Sequence, residues 1–307
     1  MSTTSRHPES DCQIQQSCDS DKQTIALIIE AKPKDLGGFS VRRSLPVREC
    51  RSIGPWLFFD EMGVAVFAAG TGVNVRPHPH INLATVTYLF EGEILHRDSL
   101  GSYQAITPGD INLMVAGKGI VHSERERPEV TAREHRLHGL QLWMALPEAD
   151  EETELAFYHY PSAQIPAVNL DGVPVRVLIG SAYGLQSPVK TFYQNLYLEA
   201  ELQPSQSLTL PDCAERGLYI AAGQVSLQHS LINAHQLVVL TDTKQVVIKA
   251  QQPTHIALIG GEAIGKRYME WNFVSSRKER LEQAKTDWQQ GRFAKVPGDE
   301  QEYIPYP

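Results

Sequence analysis

The chain has 307 residues, a formal net charge of −8, 42% hydrophobic residues and 21% charged residues. This balance is typical of a folded globular protein and excludes disordered, collagen-like and coiled-coil chains. An acidic chain without a dense lysine and arginine cluster is not expected to bind nucleic acid directly, whereas a protein partner is compatible with this composition. No apolar run is long enough to span a bilayer, and residues 1–24 carry no hydrophobic signal sequence. We therefore expect a cytoplasmic protein that does not bind a membrane.

The first half of the chain is predicted to form a barrel of short β-strands. Runs rich in β-branched and aromatic residues alternate with turns such as Glu91-Gly92 and Pro108-Gly-Asp110. Regularly spaced runs of this kind are typical of an all-β sandwich or barrel. The predicted strands are 85–90, 93–97, Tyr103–Ile106, Ile111–Val115 and 137–144.

The second half repeats this rhythm. A shift of 131 residues aligns Tyr88-Leu-Phe-Glu-Gly92 with Tyr219-Ile-Ala-Ala-Gly223. Together with the similar strand spacing, this match indicates two copies of one barrel. We therefore predict an all-β fold of two tandem jelly-roll barrels followed by a helix. The predicted strands of the second half are 191–202, 207–210, 218–221, 224–229, 237–240, 246–249 and 255–259.

Four segments are expected from these patterns. Residues 1–24 would form a polar tail, 25–150 the first barrel, 165–275 the second barrel, and 276–307 a helix with a C-terminal tail. Ser276 and Glu279 have the spacing of a capping box, in which both side chains satisfy backbone groups at a helix start. The apolar face of this helix would carry Leu281, Ala284 and Trp288, and Gly291 would end it.

Three histidines and one glutamate in the first barrel are predicted to bind a metal. His78-Pro-His80 and His122-Ser-Glu124 each place two ligand groups two residues apart. Residues i and i+2 of a strand point to the same face, so four ligands converge if the two strands are neighbours. Three nitrogens and one oxygen leave two positions open in six-coordination. This arrangement suits one divalent, iron-like ion whose open positions hold substrate or dioxygen. It suits a closed zinc site less well.

The second barrel is not expected to bind a metal. The 131-residue shift places Thr209, Pro211 and Pro253 at the positions of His78, His80 and His122. In the first barrel, His96 is interpreted as an ordinary polar residue rather than a further ligand.

The motifs of the first barrel together resemble the pirin family of the cupin superfamily. The resemblance is strongest over residues 54–147 and weaker in the second barrel, where mainly the architecture agrees. Near the end of the chain, Trp271-Asn-Phe273 and Gly291-Arg-Phe293 also resemble pirins. The matching segments of the first barrel are Arg76-Pro-His78-Pro-His80, Thr85-Val-Thr-Tyr88, Phe90-Glu-Gly92, His96-Arg-Asp-Ser-Leu-Gly101, Pro108-Gly-Asp110, Ala116-Gly-Lys-Gly-Ile120, His122-Ser-Glu124 and His138-Gly-Leu-Gln-Leu-Trp143.

The resemblance implies a bicupin with one non-haem iron(II) in the first barrel, and zinc, manganese, nickel, cobalt and copper are the alternative metals. Positions matching His78, His80, His122 and Glu124 would hold it. The sequence departs from the family at Ala84, where pirins usually carry a glutamate in a Phe-Glu-Thr context. Loss of that carboxylate would remove a group that could assist the metal or act as a base.

Two functions follow from the resemblance. The favoured one is a quercetinase-like dioxygenase that cleaves a flavonol-like aromatic substrate, with Glu124 as ligand and base. The alternative is a non-enzymatic, iron- and redox-responsive partner of transcription factors or metabolic enzymes. A hydrolase or isomerase that uses another divalent metal is a third hypothesis, since one fold hosts many chemistries.

Overall fold

A computed structural model of the chain describes residues 23–35 and 39–307. Apart from Gln23 and Thr24, the predicted N-terminal tail lies outside the described residues. The first thirteen strands are β1 (Ile25–Glu30), β2 (Lys32–Asp35), β3 (Ser40–Leu45), β4 (Trp56–Phe67), β5 (Asn74–His80), β6 (Leu83–Glu91), β7 (Ile94–Asp98), β8 (Tyr103–Ile106), β9 (Ile111–Val115), β10 (Ile120–Arg125), β11 (His135–Ala145), β12 (Ala156–Tyr160) and β13 (Ala167–Leu170).

The remaining strands follow the same antiparallel pattern. They are β14 (Val173–Ile179), β15 (Ser181–Ala182), β16 (Leu185–Gln186), β17 (Asn195–Leu202), β18 (Ser207–Thr209), β19 (Glu215–Ala222), β20 (Gln224–Leu227), β21 (Ser230–Asn233), β22 (Gln236–Leu240), β23 (Val247–Ala250), β24 (Thr254–Gly261), β25 (Tyr268–Glu270) and β26 (Phe273–Ser275). Short helices occupy Pro128–Thr131 (α1), Glu148–Asp150 and Ser162–Gln164, and a longer one occupies Lys278–Gln289 (α2).

Each half of the chain forms a barrel from a seven-stranded and a four-stranded sheet. The first barrel has the strand orders β12-β9-β6-β11-β4-β3-β2 and β5-β10-β7-β8. The second has the orders β1-β22-β19-β24-β17-β14-β13 and β18-β23-β20-β21. Gly92 makes the tight turn between β6 and β7 at a φ of +91°, and an added Cβ would lie 2.4 Å from the Arg136 carbonyl oxygen. The predicted all-β fold of two tandem barrels is confirmed.

The first strand, β1, belongs to the second barrel, and β12 belongs to the first. Both ends of the range 25–150 expected for the first barrel are therefore corrected. Strand β1 pairs with β22 of the second barrel, with Ile29 opposite Leu237. Strand β12, beyond the expected boundary, pairs with β9 and extends the first barrel. No strand was predicted at β1, whose continuous apolar run IALII carries no information about a partner.

The two seven-stranded sheets pack against each other around one shared hydrophobic core. Phe59 of the first barrel lies 4.7 Å from Tyr219 of the second between ring centroids. The Trp56 indole Nε1 donates across the interface to the Gly260 carbonyl at 3.0 Å. Burial of large aromatic rings on both sides fixes how the barrels sit together.

Two tyrosines that the 131-residue shift aligned play matching roles at this interface. Tyr219 donates from the second barrel to Glu61 of the first at 2.8 Å, and Tyr88 donates from the first to Glu199 of the second. Each glutamate is also bound by a histidine of its own barrel, Glu61 by His138 and Glu199 by His255. The internal repeat is therefore preserved as a pair of reciprocal contacts.

The contact around Glu199 predicts an acid-sensitive contribution to stability. Burial alone would raise the pKa of Glu199, but hydrogen bonds from His255 and Tyr88 and the charge of Arg176 hold it below its ordinary value near 4.5. A carboxyl whose pKa is lowered in the folded state contributes stability above its ordinary pKa and loses it as the pH falls through the folded-state pKa. We expect Glu199→Gln to lower the urea midpoint at pH 6, and the difference from wild type to shrink between pH 4.5 and pH 3.

The exposed Glu201→Gln on the same strand is the matched control, and its midpoint should follow wild type at every pH. A Glu199→Gln deficit that stayed constant down to pH 3 would contradict the lowered pKa of Glu199.

Helix α2 packs on the first barrel through Leu281 and Ala284, against Ile81 and Phe273. Gly291 follows the helix at a φ of +66°, as expected for a helix stop. The predicted capping box is wrong, because the helix begins after Arg277 and the Ser276 hydroxyl donates to Glu151 Oε2 at 2.9 Å. That acceptor comes from a distant loop, so local spacing could not predict it. None of the described helices has the length and apolar character that crossing a membrane requires.

Candidate metal centre

The three predicted histidine ligands lie together inside the first barrel. Strands β5 and β10 are neighbours, and His78 and His122 are register partners. One ring nitrogen from each of His78, His80 and His122 lies within 4.8 Å of the other two. All three side chains are buried. The HxH pair and the first residue of the HxE pair therefore converge as the two-residue strand period predicts.

Backbone carbonyls orient two of these rings. His78 Nδ1 lies 2.9 Å from the Arg76 carbonyl oxygen, and His80 Nδ1 lies 3.1 Å from the Asn272 carbonyl oxygen. A carbonyl can only accept, so both Nδ1 atoms carry the proton and both Nε2 atoms keep a free lone pair. Metal-binding histidines usually have such a partner on the second nitrogen.

The protonation of the group also suits a metal. Burial lowers the pKa of His78 to about 4, although its bond to Arg76 acts in the opposite direction. Burial and the neighbouring histidine lower the pKa of His80 well below its usual value. The imidazoles are therefore neutral at pH 7, which is the form that binds a cation.

His122 supplies the clearest sign of a missing partner. Both of its ring nitrogens are buried and have no hydrogen-bond partner. An unsatisfied buried polar atom costs about 1–3 kcal/mol, so native proteins rarely leave one. A metal ion bound by one nitrogen of each histidine would satisfy one of the two unpartnered nitrogens of His122. The donor set thus fits one divalent cation.

Glu124 lies on β10 but stands apart from the histidine triad, since it does not belong to the group of mutually close ligand atoms. Its Oε1 accepts from the Gln141 amide at 2.6 Å, and Thr87 also hydrogen-bonds to it. Burial raises the pKa of Glu124, while Gln141, His96 and Thr87 act to lower it. Glu124 is therefore held by neighbouring strands as a buried carboxyl whose proton affinity is increased.

The contacts of Gln141 and Thr87 with Glu124 were not predicted from the sequence. In the strand 137–144, Gln141 is a polar residue two positions from Trp143, so it shares a face with that ring. A polar side chain on an otherwise apolar inward face was the available signal. Thr87 carried no comparable signal, because threonine is common in strands.

Aromatic rings surround the triad. Trp143 lies edge-on to His80 with 4.9 Å between ring centroids, and Phe58 stacks on Trp143 at 3.9 Å. His96 is not part of the triad. Its Nε2 lies 3.0 Å from Asp98 Oδ2, and its ring stacks on Phe157.

Ala84 lies on the face of β6 that packs in the core shared by the two barrels. Along β6, Ala84, Val86 and Tyr88 point into the core between the barrels. Thr87, on the opposite face of the strand, hydrogen-bonds to Glu124. Position 84 therefore faces away from the triad. A glutamate at this position would not lie on the triad side of the strand, so alanine costs the site no carboxylate there.

Within residues 23–35 and 39–307, the triad is the one group of three metal-binding side chains this close together. The interior of the second barrel is filled by aliphatic side chains. His235 and His255 bind Glu61 and Glu199 instead.

Two jelly-roll barrels in one chain, with a histidine triad inside the first, define a bicupin. Residues 38–144 match the model of the pirin family, and residues 197–294 match that of the pirin C-terminal cupin domain. The chain belongs to the pirin family.

Individual relatives agree along most of the chain. A pirin-like protein of Caulobacter vibrioides is 44% identical over 289 residues, covering 92% of this chain and 99% of the relative. Human pirin is 31% identical over 283 residues, covering 89% and 94%. A crystal structure of quercetin 2,3-dioxygenase from Acinetobacter baumannii is 32% identical, with a TM-score of 0.86 and coverage of 92% and 94%.

Proposed function

We propose that this pirin is a metal-dependent dioxygenase that opens a flavonol-like substrate at one iron(II) ion held by His78, His80 and His122. The observation that carries the proposal is the buried triad, in which His122 lacks any partner and the other two rings present free nitrogens. The structural similarity to a quercetin 2,3-dioxygenase supports the choice of substrate class. The expected cytoplasmic location stays a prediction.

When bound, iron(II) would supply open coordination positions and lower the pKa of a phenolic oxygen placed there. The chain's own residues would supply the rest. Glu124, whose pKa is raised by burial, would accept the phenol proton on its carboxylate, while Gln141 keeps the carboxylate oriented. Both oxygen atoms of dioxygen would end in the opened product, so no external reductant is needed.

Glu124 has a second role in the proposal as the fourth ligand. Glu124 lies on the same strand as His122, and its carboxylate accepts from Gln141 Nε2 at 2.6 Å and also hydrogen-bonds to Thr87. A side-chain rotation that breaks these bonds would let Glu124 exchange between the metal and the substrate proton.

Oxygen uptake with quercetin tests the proposal. We expect the iron-loaded wild type to consume oxygen and His80→Ala to fall to the rate measured without enzyme, because the variant loses one metal ligand. His229→Ala, an exposed histidine of the second barrel, is the matched control and should behave like wild type.

An iron-loaded wild type that stays inert towards quercetin and related catechols would overturn the dioxygenase proposal. The binding-partner alternative would then be tested by comparing proteins captured with the ferrous and ferric forms.

A further inference from the structure

The C-terminal tail, residues 296–307, lies across the outside of the metal-ligand strands. The Ile304 backbone N–H donates to the Pro77 carbonyl at 2.8 Å, directly beside His78. Arg97 of strand β7 donates to the Gly298 carbonyl at 3.2 Å. Side chains alternate along a strand, so the Arg97 contact lies on the face opposite His96, whereas the Ile304 bond reaches the backbone of the edge strand β5.

Arg125 is the main connection between the tail and these strands. Its Nε and Nη2 donate to the two carboxylate oxygens of Asp299 at 2.8 and 2.7 Å, and Nη2 also donates to Glu302 at 2.9 Å. Nη1 reaches Asn74 on the neighbouring strand β5. One guanidinium therefore joins both ligand strands to the tail.

The Arg125–Asp299 pair is shielded from solvent. The Asp299 side chain is 8% exposed and that of Arg125 is 21% exposed. A bidentate pair in such a position is more strongly oriented than an exposed single contact. It can therefore restrain the backbone on either side of Arg125, where Glu124 and His122 lie.

A second connection from the same end of the chain reaches a ligand directly. The Asn272 carbonyl, in the turn between β25 and β26, accepts from His80 Nδ1. That turn packs with helix α2, and the Trp288 indole of the helix donates to the Ile304 carbonyl at 3.0 Å. The turn, helix and tail thus form one continuous support behind the triad.

We propose that Asp299 is a positioning residue for the metal, and that the C-terminal tail sets metal affinity by holding strands β5 and β10 in register. This inference rests on the proposed function, because it requires a metal at the triad. Asp299 acts through Arg125 and touches neither metal nor substrate.

Metal competition with Asp299→Asn tests this inference. Cobalt(II) is added to the full-length protein against a chelator, and the affinity and the visible absorption spectrum of the bound ion are recorded. Partners hydrogen-bonded to a metal ligand change affinity by about 10–100-fold when removed, and Asp299 lies one contact further out, behind Arg125. We therefore expect Asp299→Asn to weaken cobalt binding by about 10-fold, at the lower end of that range, and to alter the spectrum, because the ligand geometry relaxes.

Asp287→Asn is the matched control. It makes the same change of charge in the same C-terminal segment, where Asp287 binds Arg292 rather than a ligand strand. Its affinity and spectrum should equal those of wild type. Asp299→Glu, which keeps the carboxylate, should recover part of the lost affinity.

If Asp299→Asn does not fold, a truncated protein that ends at Tyr303 provides a second test of the tail. The truncation removes the Ile304 bonds to Pro77 and Trp288 and the Tyr306 bond to Glu270 but keeps the Arg125–Asp299 pair, and we expect weaker cobalt binding. Wild-type affinity in a folded Asp299→Asn protein, or in the truncation, would overturn the inference. No cobalt binding by wild type would instead overturn the proposed metal site.

Discussion

Replacing His122 by alanine is expected to leave the protein without stoichiometric metal. The triad loses one of three nitrogens, and the two that remain come from a single strand. Two nitrogens from one strand, even with Glu124 as a further ligand, hold an ion far less tightly than three, so affinity should fall by at least about 100-fold, beyond the effect of removing an outer contact. Elemental analysis of anaerobically purified protein should give about one equivalent of iron in wild type and almost none in His122→Ala.

His96→Ala is the informative control for that measurement. His96 is also a buried histidine of the first barrel, with a ring 5.3 Å from that of His122, but it binds Asp98 and lies outside the triad. We expect His96→Ala to retain about one equivalent. Equal metal content in wild type and His122→Ala would mean that the triad does not bind the metal.

Glu61→Ala is expected to cause the largest loss of stability, about 3–5 kcal/mol in the free energy of unfolding. The Glu61 side chain is completely buried between the barrels. It accepts from His138 at 3.0 Å, from His235 at 2.7 Å and from Tyr219 at 2.8 Å. Removing the carboxylate leaves Tyr219 and His138 without an acceptor inside the protein, whereas His235, whose side chain is 38% exposed, can turn to water.

Equilibrium unfolding in urea measures this loss. Glu154→Ala is the control, since Glu154 also forms an ion pair, with Lys118, but its side chain is 84% exposed. Exposed pairs contribute about 0–1 kcal/mol, so this variant should stay near wild type. A Glu61→Ala protein as stable as Glu154→Ala would show that the contacts of Glu61 do not hold the barrels together.

The strands of both barrels could be predicted because their signal is local. Runs of β-branched and aromatic residues between turn residues located β6, β9 and β11 within a few residues of their bounds. The partner of β1 could not be predicted in this way, because pairing with β22 depends on which sheet edge is free in the folded protein. The capping box failed for a related reason, since Glu151 competes for Ser276 from a distant part of the chain.

In the candidate site, too, the local features could be predicted and the contacts from distant segments could not. The histidine triad follows from a two-residue period on two strands, which spacing alone can reveal. The contacts that orient it come from remote segments: Asn272 binds His80, and Gln141 binds Glu124. The direction in which Ala84 points could not be predicted, because it depends on the position of β6 between the histidine triad and the core shared by the two barrels.

The crossover of strand β1 has a consequence for synthesis of the chain. Glu30 pairs with Gln236, so β1 leaves the ribosome about 200 residues before its partner. At roughly 5–20 residues per second, that delay is about 10–40 s. During this time the first barrel can close around β12. The apolar residues Ile25, Leu27 and Ile29 of β1 meanwhile have no strand to pair with. The nascent chain is therefore most open to chaperone capture, or to mispairing with another chain, at its first strand.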